Sequence, residues 1–212
     1  MASEEAEQRI HELNQQVSAL YEQAKYAEAL ELARRVCELA RGVLGNDHCE
    51  TATSFNNLGG ILRALGNYAG ARPYCETALE IRRSVLGLNH LDTAASLHNL
   101  GVLLQDMRDL EGARIFLDQA LEIRSRLLGR EHPDIAESLN SLGVLLNQLG
   151  DRTNARSRME EALAIWRRTQ GDNHPKIALG LSNLGCLYLK MGIFSTARTN
   201  FLYFPRFPYS SP

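Results

Sequence analysis

A 42-residue period governs this chain. Gly45, Gly87, Gly129 and Gly171 are 42 residues apart, and His48, His90, His132 and His174 keep the same spacing. So do Leu58-Gly59, Leu100-Gly101, Leu142-Gly143 and Leu184-Gly185, and then Ala71-Arg72, Ala113-Arg114, Ala155-Arg156 and Ala197-Arg198. Residues 3–44 are a weaker copy, with Tyr26-Ala27-Glu28-Ala29 where the next copy has Tyr68-Ala69-Gly70-Ala71. A short segment written several times cannot bury its apolar face alone. Neighbouring copies must stack on one another to make a continuous core.

Each copy reads as two helices. In the copy that starts at Gly129, the first should run from Pro133 to Leu149, because proline suits the first helical position, where no N–H partner is needed. Leu142, Gly143 and Leu146 share one face at helical spacing. Gly150-Asp151 marks a tight turn, and a second helix should run from Arg152 to Gln170, closed by Gly171. In the preceding copy the same turn is made with polar residues around Asp109. Gly143 lies inside a helix, where glycine costs about 1 kcal/mol relative to alanine. The same choice at Gly59, Gly101 and Gly185 implies a close approach of the paired helix, with the small residues Ala71, Ala113, Ala155 and Ala197 as counterparts.

The resulting expectation is one all-α domain over residues 1–203, with copies at about 3–44, 45–86, 87–128, 129–170 and 171–203, and a disordered Pro/aromatic tail at 204–212. With 44% hydrophobic residues a continuous core is affordable, and a net charge of −2 gives no reason to expect nucleic acid or an anionic membrane surface. No apolar run approaches the ~18 residues of a membrane span. The acidic start, Met1-Ala2-Ser3-Glu4-Glu5, is no signal peptide, and a cytoplasmic location is expected. Cys37, Cys49, Cys75 and Cys186 form no CxxC pair and read as small apolar fillers.

Neither catalysis nor a metal is expected. There is no glycine-rich phosphate loop and no GxSxG elbow. The four junction histidines would sit roughly 10 Å apart, whereas ligands of one zinc lie within ~2.1 Å of it. They should instead shape the turns and cap the following helices. Carboxylates such as Glu50, Glu80, Glu122 and Glu160 read as lying on solvated faces, often near arginines such as Arg83 and Arg126 at pairing distance along the helix.

The motifs resemble a known family. Leu-Gly, an apolar residue three later and an alanine twelve after the glycine form the tetratricopeptide repeat pattern. The 42-residue period with Gly-x-x-His-(Pro) at the junction is similar to the kinesin light chain-like branch. Ser54-Phe55-Asn56-Asn57-Leu58-Gly59 and Gly129-Arg130-Glu131-His132-Pro133-Asp134-Ile135-Ala136 carry the likeness, which spans about residues 24–201. The resemblance implies a right-handed superhelical solenoid of antiparallel helix pairs, acting as a scaffold or adaptor, with no cofactor. It also implies that the first helices line a concave groove for a protein or peptide.

A helical wheel with Leu58, Gly59 and Leu62 on the buried side selects the residues of the opposite side. The candidates are Asn56, Asn57 and Arg63, then His98, Asn99, Val102 and Gln105, then Asn140, Ser141, Val144 and Asn147, and finally Asn183, Cys186 and Lys190. They form a small or apolar stripe, Gly60, Val102, Val144 and Cys186, flanked by the ladder Asn57, Asn99, Ser141 and Asn183. Asparagine donates and accepts, so it can pair with the backbone of an extended peptide whatever its sequence. By resemblance, Asn57, Asn99 and Asn183 hold that backbone, and Ser141 does so more weakly; a merely structural role in the helix pair is the alternative. Arg63 and Lys190 read as isolated cations, which suits a neutral or mildly acidic internal segment.

The pattern fails after Phe201. Phe204 and Pro205 stand where earlier copies have Ala78, Ala120, Ala162 and then leucine, so the last helix should stop near residue 203. Three accounts are open: a truncated or alternatively spliced chain, a tail that folds over the last copy, and a tail that binds another molecule. Phe201, Tyr203, Phe204, Phe207 and Tyr209 read as exposed aromatics, and self-association through residues 201–209 is the rival functional reading.

Overall fold

The computed structural model of the chain describes residues 2–202. Among these there are ten helices and no strand. They are α1 (Ala2–Glu22), α2 (Tyr26–Val43), α3 (Cys49–Ala64), α4 (Tyr68–Leu86), α5 (Leu91–Asp106), α6 (Leu110–Leu128), α7 (Pro133–Gln148), α8 (Arg152–Gln170), α9 (Pro175–Lys190) and α10 (Phe194–Leu202). None is long and apolar enough to cross a membrane. The tail from Tyr203 onward lies outside the described residues, and so do the three accounts of it.

Caps set the helix boundaries. His48, His90, His132 and His174 are the N-caps of α3, α5, α7 and α9. In each, Nδ1 accepts the backbone N–H two residues on, at 3.1–3.2 Å. This satisfies one of the four donors that a helix start leaves without an intrahelical partner. Asn67, Asp109 and Asp151 do the same for α4, α6 and α8, through the N–H groups of Gly70, Gly112 and Asn154. Gly87 and Gly171 close α4 and α8 at φ 82° and 77°, a region that a Cβ disfavours. The helix limits read from the sequence for the third full copy, Pro133 and Arg152–Gln170, match α7 and α8. Only the end of α7 falls one residue short of Leu149.

The chain divides into two compact halves, Met1–Phe116 and Leu117–Pro212, with the boundary inside α6. In the N-terminal half α1 to α5 pack each on the next, and the first helices α1, α3 and α5 also touch one another. The second helices α2 and α4 do not. In the C-terminal half α7, α8, α9 and α10 pack in the same sequence, with α7 against α9. The core there is built from Ile135, Leu139, Met159, Trp166, Leu181 and Leu184. A fully buried side chain of this kind contributes about 1.5–3 kcal/mol relative to exposure.

The helical glycines mark the tightest contacts. A Cβ on Gly59 would sit 2.6 Å from the Sγ of Cys75, and one on Gly143 would sit 2.6 Å from the Cγ of Met159. At Gly185 it would meet the ring of Phe201 at 2.7 Å. The alanine counterparts are fully buried, yet the atoms that fill the glycine notch belong to the residue one turn beyond them. Phe201 is therefore partly buried against α9, not an exposed aromatic as its sequence position suggested.

Candidate functional site

The exposed edge of the first helices is where the period places the candidate residues. In the N-terminal half Asn57, Asn99, Val102 and Arg63 are half-buried on α3 and α5. In the C-terminal half Ser141, Val144, Asn147 and Asn183 are half-buried on α7 and α9, while Cys186 and Lys190 are exposed. Four candidates lie deeper: Asn56 and Asn140 are 7% exposed, His98 and Gln105 5%. At 100° per residue they flank the wheel's buried arc; α5 covers Asn56 through Ser96, and Asn183 of α9 reaches Asn140.

Covering gives Asn56 a definite job. Its Nδ2 donates to Ser96 Oγ at 2.7 Å, tying α3 to α5. The same hydroxyl accepts from Arg82 Nη1 at 3.1 Å. Arg82, at the end of α4, is 6% exposed and donates further to the carbonyl of Asp92 at 3.0 Å and to Thr53 Oγ1 at 3.0 Å. Burial pushes its pKa down, and Asp92 opposes that shift. Arg124 repeats the arrangement one period later, reaching the carbonyl of Asp134 at 3.1 Å and Ser138 Oγ at 2.8 Å. Sequence reasoning missed these arginines. Their signal was there, an arginine and a serine 14 residues apart in two successive copies.

The amide ladder is partly engaged by the protein itself. Asn183 Nδ2 donates to Asn140 Oδ1 at 3.0 Å, and Asn57 Nδ2 reaches the carbonyl and Oδ1 of Asn14, both at 3.4 Å. Each bond runs from one first helix to the preceding one. Asn99 breaks the series. Among the described residues its side chain has no hydrogen-bond partner, while Oδ1 of Asn56, the equivalent acceptor, is buried and also without one. Asn147 Oδ1 is in the same condition. Each half thus keeps spare amide capacity at the first-helix edge.

The charges differ from the sequence reading. Arg63 is not an isolated cation: its Nη1 lies 2.8 Å from Asp106 Oδ2, on the first helix of the next copy. Lys190 is exposed with no ion-pair partner among the described residues. Cys37 and Cys75 are buried, and burial pushes their thiols up to about 12 and about 11, which makes them inert fillers at neutral pH.

The sequence matches the family described as Tetratricopeptide repeat over residues 10–69, 50–126, 99–157 and 134–202. No curated protein sequence matches. Among solved structures, BtubC (BKLC) from P. vanneervenii is similar with a TM-score of 0.70 at 24% identity, over 93% of this chain and 83% of that one. A Podosopora anserina protein described as a kinesin light chain with nearly identical TPR-like repeats gives 0.70 at 22% identity, over 92% of each chain. Rap protein complexed with Competence and Sporulation Factor gives 0.76 at 20% identity, over 87% of this chain and 50% of that one. At such identities the likeness is one of fold. The chain belongs to the tetratricopeptide repeat family, whose repeats are generally non-enzymatic and mediate protein–protein interaction.

Proposed function

We propose that this protein is an interaction scaffold that holds an extended peptide segment of a partner against its first helices. The observation that carries the reading is the uncommitted amide of Asn99, half-buried beside Val102 on α5, where the equivalent Asn57 and Asn183 are bonded to the preceding first helix. The amide has no protein partner among the described residues and is not fully buried, so a ligand can still reach and pair with it. A peptide backbone offers both the N–H and the C=O it needs. Val102 gives a ligand side chain an apolar seat in the N-terminal half, and Val144 offers one of its own in the C-terminal half. Asn57, Ser141, Asn147 and Asn183 add further donors and acceptors. Rap, complexed with Competence and Sporulation Factor in its solved structure, is a precedent for ligand capture on this fold.

Affinity capture tests this with wild type and an Asn57→Ala, Asn99→Ala, Asn183→Ala triple variant that keeps its helical circular dichroism. Each amide pairing contributes ~0.5–1.5 kcal/mol, so partners held in the groove should weaken at least tenfold. An unchanged set of partners would remove the first helices from the function. A second reading, end-to-end self-association, is favoured by α10, where Phe194 and Leu202 are 69% and 72% exposed. Sedimentation of the full chain against a 1–203 truncation separates it: a monomer in both removes this reading.

A further inference from the structure

A groove opens between α2 and α4 in the N-terminal half. These second helices do not pack on each other, so α3 is left as the floor of a cavity of about 570 Å³. That is room for a few side chains of an extended segment and too little for a docked helix. Phe55 and Leu62 supply an apolar base, and Tyr74, 5.8 Å from Phe55 between ring centroids, forms one flank. Pro73 lies inside α4 on the same flank and cannot donate to the helix ladder there.

The polar lining has one sign. Arg34 and Arg41 on α2 line the cavity and no carboxylate does. Neither arginine has an ion-pair partner among the described residues. The acids nearby are committed elsewhere, Glu31 to Arg35 at 2.6 Å and Glu76 to Arg72 at 2.7 Å. Glu38, between the two arginines along α2, is exposed and lies outside the lining. Asn67 has its Oδ1 occupied by the N–H of Gly70, which leaves Nδ2 to donate. The period sharpens the point. Where this groove has Arg34, the later copies have Glu76, Asp118 and Glu160, so the charge is reversed at this one place.

We infer that this groove docks a short acidic segment of a partner protein, with an aliphatic or aromatic side chain on Phe55 and Leu62 and flanking carboxylates on Arg34 and Arg41. Arg41 Nε donates to Asn46 Oδ1 at 3.2 Å, which leaves its Nη groups for a ligand. Guanidinium groups suit carboxylates through paired N–H donors, and cations without a carboxylate partner on a rim give specificity and fast association. This surface shares no residue with the first-helix face and stands independently of it.

The test is selection of a phage-displayed random dodecapeptide library on the full chain, followed by fluorescence polarisation with the enriched peptides. Two protein variants are compared with wild type: Arg34→Glu with Arg41→Glu, and Asn99→Ala. Both arginines are exposed, so the fold survives, which circular dichroism checks. The expected result is a class of peptides with Asp or Glu next to an apolar residue. Their affinity should fall at least tenfold in the arginine variant and less than twofold in Asn99→Ala. The inference is overturned if no acidic class is enriched, or if reversing both arginines leaves its binding unchanged. Acidic peptides lost through Asn99→Ala instead would belong to the first-helix face and would equally overturn it.

Discussion

Two joints of the molecule, α4–α5 in the N-terminal half and α8–α9 in the C-terminal half, fill the same repeat positions with different chemistry. Where α4 meets α5, Arg82 is buried and donates to Ser96. Where α8 meets α9, the equivalent pair is Trp166 and Gly180, with the indole Cζ3 3.3 Å from where a Cβ on that glycine would be. The glycine notch is filled by Cys75 in one half and by Met159 in the other. Thr93 Oγ1 donates to the carbonyl of Gly87 at 2.8 Å before α5, whereas α7 and α9 begin with Pro133 and Pro175 and carry Ile135 and Ile177 at the threonine position. The joint is thus closed by hydrogen bonds at α4–α5, and again by Arg124 and Ser138 at α6–α7, but by packed apolar volume at α8–α9. The repeat demands a filled, internally satisfied joint. It does not specify the chemistry that fills it.

That contrast is open to attack. The largest effect should come from Trp166→Ala, because Trp166 is 1% exposed and nothing around it can collapse into so large a void. A loss of about 3–5 kcal/mol is expected, read by urea denaturation followed with far-ultraviolet circular dichroism. Arg82→Met should stay within ~1 kcal/mol of wild type in the same assay, since replacing a buried polar network by apolar volume is often close to neutral. A larger loss would mean that the hydrogen bonds, and not the volume, hold that joint. The two chemistries should also be transferable as pairs. Trp166→Arg alone places a cation beside a glycine, and adding Gly180→Ser should restore at least ~1 kcal/mol through the Arg–Ser bond.

Alkaline pH separates the halves without mutation. Cys37 and Cys75 ionise at about 12 and about 11 in the folded chain against an ordinary value of 9.0. Above pH 9 the unfolded chain therefore binds fewer protons than the folded one. Stability is full below pH 9 and is lost as pH climbs toward the folded values, by about 1.4 kcal/mol per pH unit for each thiol at most. Between pH 9 and 10 this loss comes from the buried thiols of the first half. Above 10 it reaches the second half, because burial and the hydrogen bond to Glu160 at 2.6 Å hold the Tyr188 phenol up at about 12. Amide hydrogen exchange should show α2 and α4 loosening first. The double variant Cys37→Ala, Cys75→Ala should flatten the profile over pH 9–10.

Smaller effects should follow the close contacts and the turns. Gly143→Ala brings a Cβ within 3.1 Å of the Ala155 carbonyl, whereas the matching carbonyl is 3.5 Å away at Gly59. Overpacking of this kind costs ~1–3 kcal/mol, and the Gly143 variant should melt lower than the Gly59 one. Arg108 adopts φ 69° where the C-terminal half has Gly150 at 90°. Arg108→Gly should raise stability by about 0.5–1 kcal/mol, and an unchanged melting temperature would show that the arginine side chain offsets its own strain.

Much of this molecule is legible in the chain. The 42-residue period, the Pro and Gly punctuation and the position of each cap act through local geometry, so the sequence alone determines the helix pairs, their limits and the all-α repeat fold. The junction histidines could be read as caps because a metal needs convergence that a one-per-repeat spacing forbids. What only the tertiary structure decided is which polar side chains face a neighbour. Asn56 and Asn57 are adjacent and alike, yet Asn56 is covered by α5 and bonded to Ser96, while Asn57 stays at the edge. Arg63 met Asp106 from 43 residues away, and Arg34 met no acid at all. Those outcomes depend on how one copy is set against the next, a relation between helices that no periodicity within a single helix records.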